Sequence, residues 1–134
     1  MQDPKDAQKI ENILSKQIID AAIEVHKSLG GPGLLESLYE EALYHELKLR
    51  DISVQSQIQI PVTYKNIILR DPLRVDLLVD QKVIVEIKAT EKDNLVYQAQ
   101  ILTYLRLTGL KLGLLINFGR KWVVDGITRV VNGL

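Results

Sequence analysis

Apolar side chains recur at three- and four-residue steps between residues 6 and 29: Ile10, Ile13, Leu14, Ile18, Ala21, Ala22, Val25 and Leu29. Residues so spaced share one face of a helix, so the pattern predicts an amphipathic helix preceded by a frayed tail at 1–5. The helix should stop at Gly30-Gly31-Pro32-Gly33, where glycine admits left-handed torsions and proline forbids continuation. A second helix is expected over 34–50, with Leu35, Leu38, Tyr39, Ala42, Leu43 and Leu47 on its apolar face.

From Ile52 the period changes to two. Ile58 and Ile60 alternate with Gln57 and Gln59, and Val62, Tyr64 and Ile68 continue the strand-like stretch around a turn at Lys65-Asn66. Val75, Leu77 and Val79 then alternate with Arg74, Asp76 and Leu78, and after a turn at Asp80-Gln81 the alternation resumes through Val83, Val85 and Ile87. A third helix is expected over 94–108, ending at Gly109. Residues 112–118 form a nearly continuous apolar run, as in a strand buried on both faces. The segment 122–131 reads equally as a last strand or a short helix. No repeat or linker divides the chain, so the order of elements predicts a single α/β domain over 1–134.

Composition narrows the chemistry. A chain of 134 residues is long enough to bury its own core as one domain. Lys+Arg and Asp+Glu both number 17, which excludes binding by bulk charge but not a local basic groove. The absence of cysteine excludes disulfides, thiolate metal sites and cysteine nucleophiles, and two histidines, His26 and His45, are too few for a His-rich metal site. No apolar run approaches the ~20 residues that span a bilayer, and the polar start MQDPKDAQK is unlike a signal peptide. A cytoplasmic protein is expected.

The hairpin centred on Gln81 holds the most informative residues. Its register would set Asp76 opposite Glu86, with Cβ atoms about 4.5–5.5 Å apart, close enough for both carboxylates to share a divalent cation. Lys88, two residues beyond Glu86, falls on the same face, while Val75, Leu77, Val79, Val83, Val85 and Ile87 make the other face apolar. Two acids and a lysine so placed suit phosphodiester hydrolysis, the metal lowering the pKa of a water and the ammonium offsetting developing charge. The bland alternative is a solvated strand face with an ordinary Glu–Lys pair. In the third helix, Tyr97, Gln100 and Tyr104 share a face away from Leu95, Ala99 and Leu102, either as a polar surface stripe or as support for the lysine or the water. Glu36 opens the second helix, where the helix dipole alone would favour a carboxylate.

These residues carry a family resemblance. The stretch from Gly33 through Glu36 to Tyr39 resembles the signature that names the GxxExxY family, and AAIEVHKSLG, RVDLLVD, KVIVEIKA, AQILTYLRLTG and GLLINFG resemble it in the same order. The resemblance covers about 18–132 and implies the PD-(D/E)XK nuclease superfamily, whose restriction-endonuclease-like αβββαβ core is a mixed sheet flanked by helices, here with an extra N-terminal helix. It implies catalytic roles for Glu36, Asp76, Glu86, Lys88, Gln100 and Tyr104. It also implies an Mg²⁺ or Mn²⁺ cofactor held by Asp76, Glu86, the Ile87 carbonyl and, through water, Glu36. Two departures are visible: Val75 stands where the superfamily's name has proline, and the glycine turn is one glycine longer than the usual L-G-P-G.

Other features weigh less. Arg74, on the face of Asp76, suits a phosphate contact. His26 fits packing or a helix end better than catalysis, and His45 fits a solvated surface. Arg120-Lys121-Trp122 suits either nucleic-acid contact or a solvated turn. The glycine turn lacks the Gly-Lys-Ser/Thr of a phosphate-binding P-loop. The expected function is a metal-dependent nuclease with a nucleic-acid partner, DNA ahead of RNA, no membrane partner, and a homodimer left open. The alternative is a binding or protein-interaction module that keeps the fold without turnover.

Overall fold

The computed structural model describes residues 9–134; the expected tail at 1–5 and any helical start before residue 9 lie outside the described residues. Helix α1 (Ile10–Ser28) buries Leu14, Ile18, Ala21, Ala22 and Val25, the middle of the expected stripe, while Ile10, Ile13 and Leu29 at its ends are exposed. After the glycine turn, α2 (Glu36–Leu49) buries Tyr39, Leu43 and Leu47, whereas Leu35 and Leu38, expected on the same face, are exposed. Strand β1 (Val54–Ile60) leads into a small separate hairpin, β2 (Thr63–Tyr64) and β3 (Ile67–Ile68), closed by Lys65 and Asn66 at φ 46° and 69°. Strands β4 (Leu73–Val79) and β5 (Val83–Lys88), helix α3 (Leu95–Thr108) and strands β6 (Leu112–Asn117) and β7 (Ile127–Val131) complete the chain. The ambiguous end resolves into both alternatives, a 3-10 turn at Val123–Gly126 followed by β7.

The main sheet has the order β1-β4-β5-β6-β7. Among the described residues only β5 and β6 pair in parallel, with α3 as the crossover between them. One face packs α1 and α2 against Leu77, Val79, Val85 and Ile87; the other packs Ile101 and Leu105 of α3 against Val75, Ile84 and Leu115. Helix α3 lies close to β6 because Gly113 has no side chain: a Cβ there would fall 2.4 Å from Cγ2 of Ile101. Asn94 caps α3 by accepting the Val96 N–H at 3.0 Å, and Gly109, at φ 76°, ends it in a left-handed turn. The architecture is the mixed, helix-flanked sheet of a restriction-endonuclease-like fold.

The expected hairpin register is found. Val79 faces Val83 and Leu77 faces Val85, with Asp80 and Gln81 both left-handed at φ 51° and 58° and the Lys82 N–H donating to the Val79 carbonyl at 3.0 Å. Two further expectations of facing need correction. Val75 does not share the apolar face of Leu77 and Val79 but packs on the opposite side with α3, the change falling at Asp76, where pairing with both neighbouring strands is interrupted. In α3 the apolar face is Ile101 and Leu105; Leu95 is exposed and Leu102 half-buried, whereas Tyr97 and Tyr104 pack against the core.

Candidate active site at a strand fork

The β4–β5 ladder stops at Leu77 and Val85. Beyond it, side chains take over from backbone. The Asp76 N–H donates to Oε1 of Glu86 at 3.2 Å, and the Ile87 N–H donates to Oδ2 of Asp76 at 2.8 Å. On the other side of β4, pairing with β1 skips one position between Ser56–Leu77 and Ile58–Val75. The skipped residue, Gln57, sits at φ 51°, a left-handed conformation that costs a side-chain-bearing residue roughly 1–2 kcal/mol. Its amide Nε2 donates to both carboxylate oxygens of Glu40 at 2.9 Å and to Oδ1 of Asp76 at 3.3 Å. Both oxygens of Asp76 are therefore held, one from each neighbouring strand.

The glycine turn places Glu36. Gly30, Gly31 and Gly33 adopt φ of 89°, 93° and 117°, torsions that side chains disfavour. Tyr39, fully buried, closes the turn: its hydroxyl donates to the Gly31 carbonyl at 2.7 Å and accepts the Leu34 N–H at 3.2 Å. Its ring stacks on Phe118, with centroids 4.6 Å apart and planes within 6°. His26, also buried, completes this cluster with Nε2 3.1 Å from the Phe118 carbonyl oxygen. Packing and loop anchoring are what the structure assigns to His26. Glycine, glutamate and tyrosine at this spacing thus form one device: a turn, a carboxylate at the start of α2, and a buried ring that holds the turn in place.

Glu36, Glu40, Gln57, Arg74 and Asp76 line one open cleft of about 490 Å³. Its carboxylates crowd each other. Burial, reinforced by the charge of Asp76 and opposed by Lys88, pushes Glu86 up to about 8. Burial also raises Glu36, with Lys88 opposing and Asp76 adding to the rise. Glu40 is raised by burial and by Asp76, against the lowering effect of the Gln57 hydrogen bond. The Lys88 ammonium makes no hydrogen bond or ion pair among the described residues and rests 4.4 Å from the centroid of the Tyr97 ring.

The fork brings together Glu36, Asp76, Glu86 and Lys88, linked by hydrogen bonds or by direct electrostatic influence. Arg74 joins them in the cleft, and the backbone of Ile87 takes part through its N–H. Gln100 and Tyr104 instead bond each other, Nε2 to hydroxyl at 2.9 Å, with Gln100 exposed. Glu40, Gln57 and the Lys88–Tyr97 contact are additional. Glu40 was findable, lying one helical turn after Glu36 on the same face. Gln57 carried no signal, since nothing in its composition marks a left-handed torsion in a strand.

A model of the PD-(D/E)XK nuclease superfamily matches residues 12–130. The chain belongs to the PD-(D/E)XK nuclease superfamily. No curated protein matches it in sequence. Among solved structures, it is similar to the one titled "Crystal structure of SSO0001", at 15% identity and a TM-score of 0.56, covering 90% of this chain. The chain spans 59% of that protein's length, and the likeness speaks for the fold alone. Members of the superfamily are metal-dependent nucleases, which generally use divalent ions. The donor set here fits such an ion: hard carboxylate oxygens held at fixed positions, with protonation raised where no cation balances them. Among the described residues no three His, Asp or Glu side chains form a ready-made metal cage. No helix among the described residues is long and apolar enough to cross a membrane.

Proposed function

We propose that this PD-(D/E)XK nuclease belongs to the GxxExxY branch and hydrolyses phosphodiester bonds of nucleic acid, DNA ahead of RNA, with Mg²⁺ or Mn²⁺. The observation that carries the reading is the fork itself, where Asp76 and Glu86 each bond the opposing strand's backbone with Lys88 on the next outward position of β5. Asp76 and Glu86 would hold the cation, with the Ile87 carbonyl and, through water, Glu36 beside them. When bound, the cation supplies Lewis-acid charge and a water of lowered pKa. Lys88 orients the attacking water and stabilises negative charge developing on the phosphate. Tyr97 keeps the Lys88 ammonium in place from its ring face. Arg74 holds a neighbouring phosphate. Gln100 and Tyr104, bonded to each other, would support Lys88 and the attacking water.

The test is a cleavage assay with Mg²⁺ or Mn²⁺ on single- and double-stranded DNA and RNA. Cleavage should require the cation and vanish in Asp76→Asn and Lys88→Ala. Binding of nucleic acid without cleavage in any of these conditions would mark a module that keeps the fold without turnover.

A further inference from the structure

A second cavity, of about 440 Å³, opens between the end of α1, the glycine turn and the 3-10 turn. Its walls are largely apolar, including Ile23, Pro32, Val123 and Val124. Trp122 also lines it and is 62% exposed, an unusual position for so large an apolar ring. Two lysines, Lys27 and Lys121, border the cavity, and the Lys121 ammonium lies 5.6 Å from the Trp122 ring centroid. Arg120, beside them in sequence, is engaged elsewhere: it pairs with Asp93 and anchors the loop before α3. The loop that carries Trp122 is firmly built. Asn117 bonds Thr90 and Asp93, and Gly119 sits so close to Thr90 that a Cβ would meet its backbone at 2.2 Å.

The chain from Gly30 to Glu36 runs from the rim of this cavity to the rim of the catalytic cleft. Pro32 also borders a hollow of about 410 Å³ shared with Leu34, Thr90 and Gly119. Leu35, the next residue of the chain, lines the cleft of Glu36 and Asp76. The track's middle carries Glu91, so attraction for a phosphate backbone comes from the lysines at the far end. An exposed indole flanked by ammonium groups is the pairing that proteins use for unstacked bases, the ring meeting the base face and the cations the phosphates. The volume lies within the range of small-ligand sites.

We propose that this cavity is a subsite for one unpaired nucleobase of the strand whose backbone lies in the catalytic cleft. The proposal rests on the nuclease reading and assigns that site a single-stranded or locally opened substrate. A base inside a duplex is stacked on both faces, so only an unstacked base reaches the indole.

Trp122 is the single tryptophan of the chain, so intrinsic tryptophan fluorescence reports on this cavity alone. The titration uses the full chain with Lys88→Ala in Mg²⁺, which keeps the strand intact. The probes are a short single-stranded DNA, the same sequence as RNA, a strand of equal charge with abasic sites, and a blunt duplex. At least one of the two base-bearing single strands should quench Trp122 strongly, and the abasic strand and the duplex should quench little. Adding Trp122→Ala should weaken binding of that strand by about five- to a hundredfold, with Trp122→Phe recovering most of it. Because the ring is largely exposed, its removal empties no core, and unchanged melting of Trp122→Ala checks this. Equal quenching by the abasic strand or the duplex, no quenching by any strand, or unaltered affinity in Trp122→Ala overturns the subsite. Metal-dependent, Lys88-dependent cleavage without quenching removes the subsite and leaves the nuclease reading. Quenching without such cleavage removes the nuclease reading and leaves a base-binding surface.

Discussion

At its turn end, the β4–β5 hairpin pairs backbone to backbone, Val79 with Val83, Leu78 with Ile84 and Leu77 with Val85, with apolar side chains packed on both faces. At its open end, one residue further along each strand, carboxylates replace those backbone bonds and the neighbouring strand is forced through a left-handed glutamine. The first end minimises unmet polar groups. The second accumulates crowded, mutually repelling acids, Glu86 buried among them, and local strain, the state expected where structure is held ready for a ligand. Both ends use a left-handed glutamine, Gln81 at the turn and Gln57 at the fork, at φ 58° and 51°. Only Gln57 connects to the acids.

Substitutions separate the two ends. Ile84→Ala, at the turn end, empties a fully buried position and should cost about 2–5 kcal/mol in chemical denaturation, with cleavage per folded molecule largely unchanged. Lys88→Ala, at the fork, should do the reverse. Cleavage should drop at least a hundredfold, about 2.7 kcal/mol of transition-state stabilisation, while stability moves by less than about 1 kcal/mol.

A pH titration of the metal-free protein sharpens the contrast. The carboxyl of Glu86 rises from 4.5 to about 8 on folding, so the folded chain binds the extra proton throughout that interval. Its contribution to stability is full below about 4.5 and is lost as pH climbs through 8. The melting temperature should therefore fall with rising pH across this window, and Glu86→Gln should flatten the slope. A slope unchanged in Glu86→Gln would place the burden on other groups.

The smallest expected effects are the most discriminating. Gln81→Gly removes a left-handed penalty, gives up only an exposed hydrogen bond to Gln55, and should raise stability by about 0.5 kcal/mol with no change in cleavage. Gln57→Gly relieves the same kind of strain but frees Asp76 and Glu40, so stability should move by a similarly small amount while cleavage falls about tenfold. Matching activities for the two variants would erase the distinction between the ends.

The turn end was legible in sequence because its rules are local. Strict alternation set the register, and two polar residues between apolar strands marked the turn. The helices followed from their spacing for the same reason. The fork was legible only as chemistry: Asp76, Glu86 and Lys88 stand out as residue types, but their geometry depends on a ladder that side chains interrupt. Alternation put Val75 with Leu77, and the interruption at Asp76 sends Val75 to the opposite core. The contact between Lys88 and Tyr97 joins β5 to α3 and arises only in the tertiary arrangement. Gln100 and Tyr104 were visible as a pair four apart, and their mutual bond is the local half of that expectation.

The central claim is that the fork is a cation site held by Asp76. Thermal melting near neutral pH, with and without Mn²⁺, tests it directly on the wild type and on Asp76→Asn. A cation bound only by the folded chain should stabilise the wild type by about 2.7 kcal/mol at a hundredfold excess over its Kd. Asp76→Asn should show almost no shift. Equal shifts in the two proteins, or none in the wild type, would contradict the account.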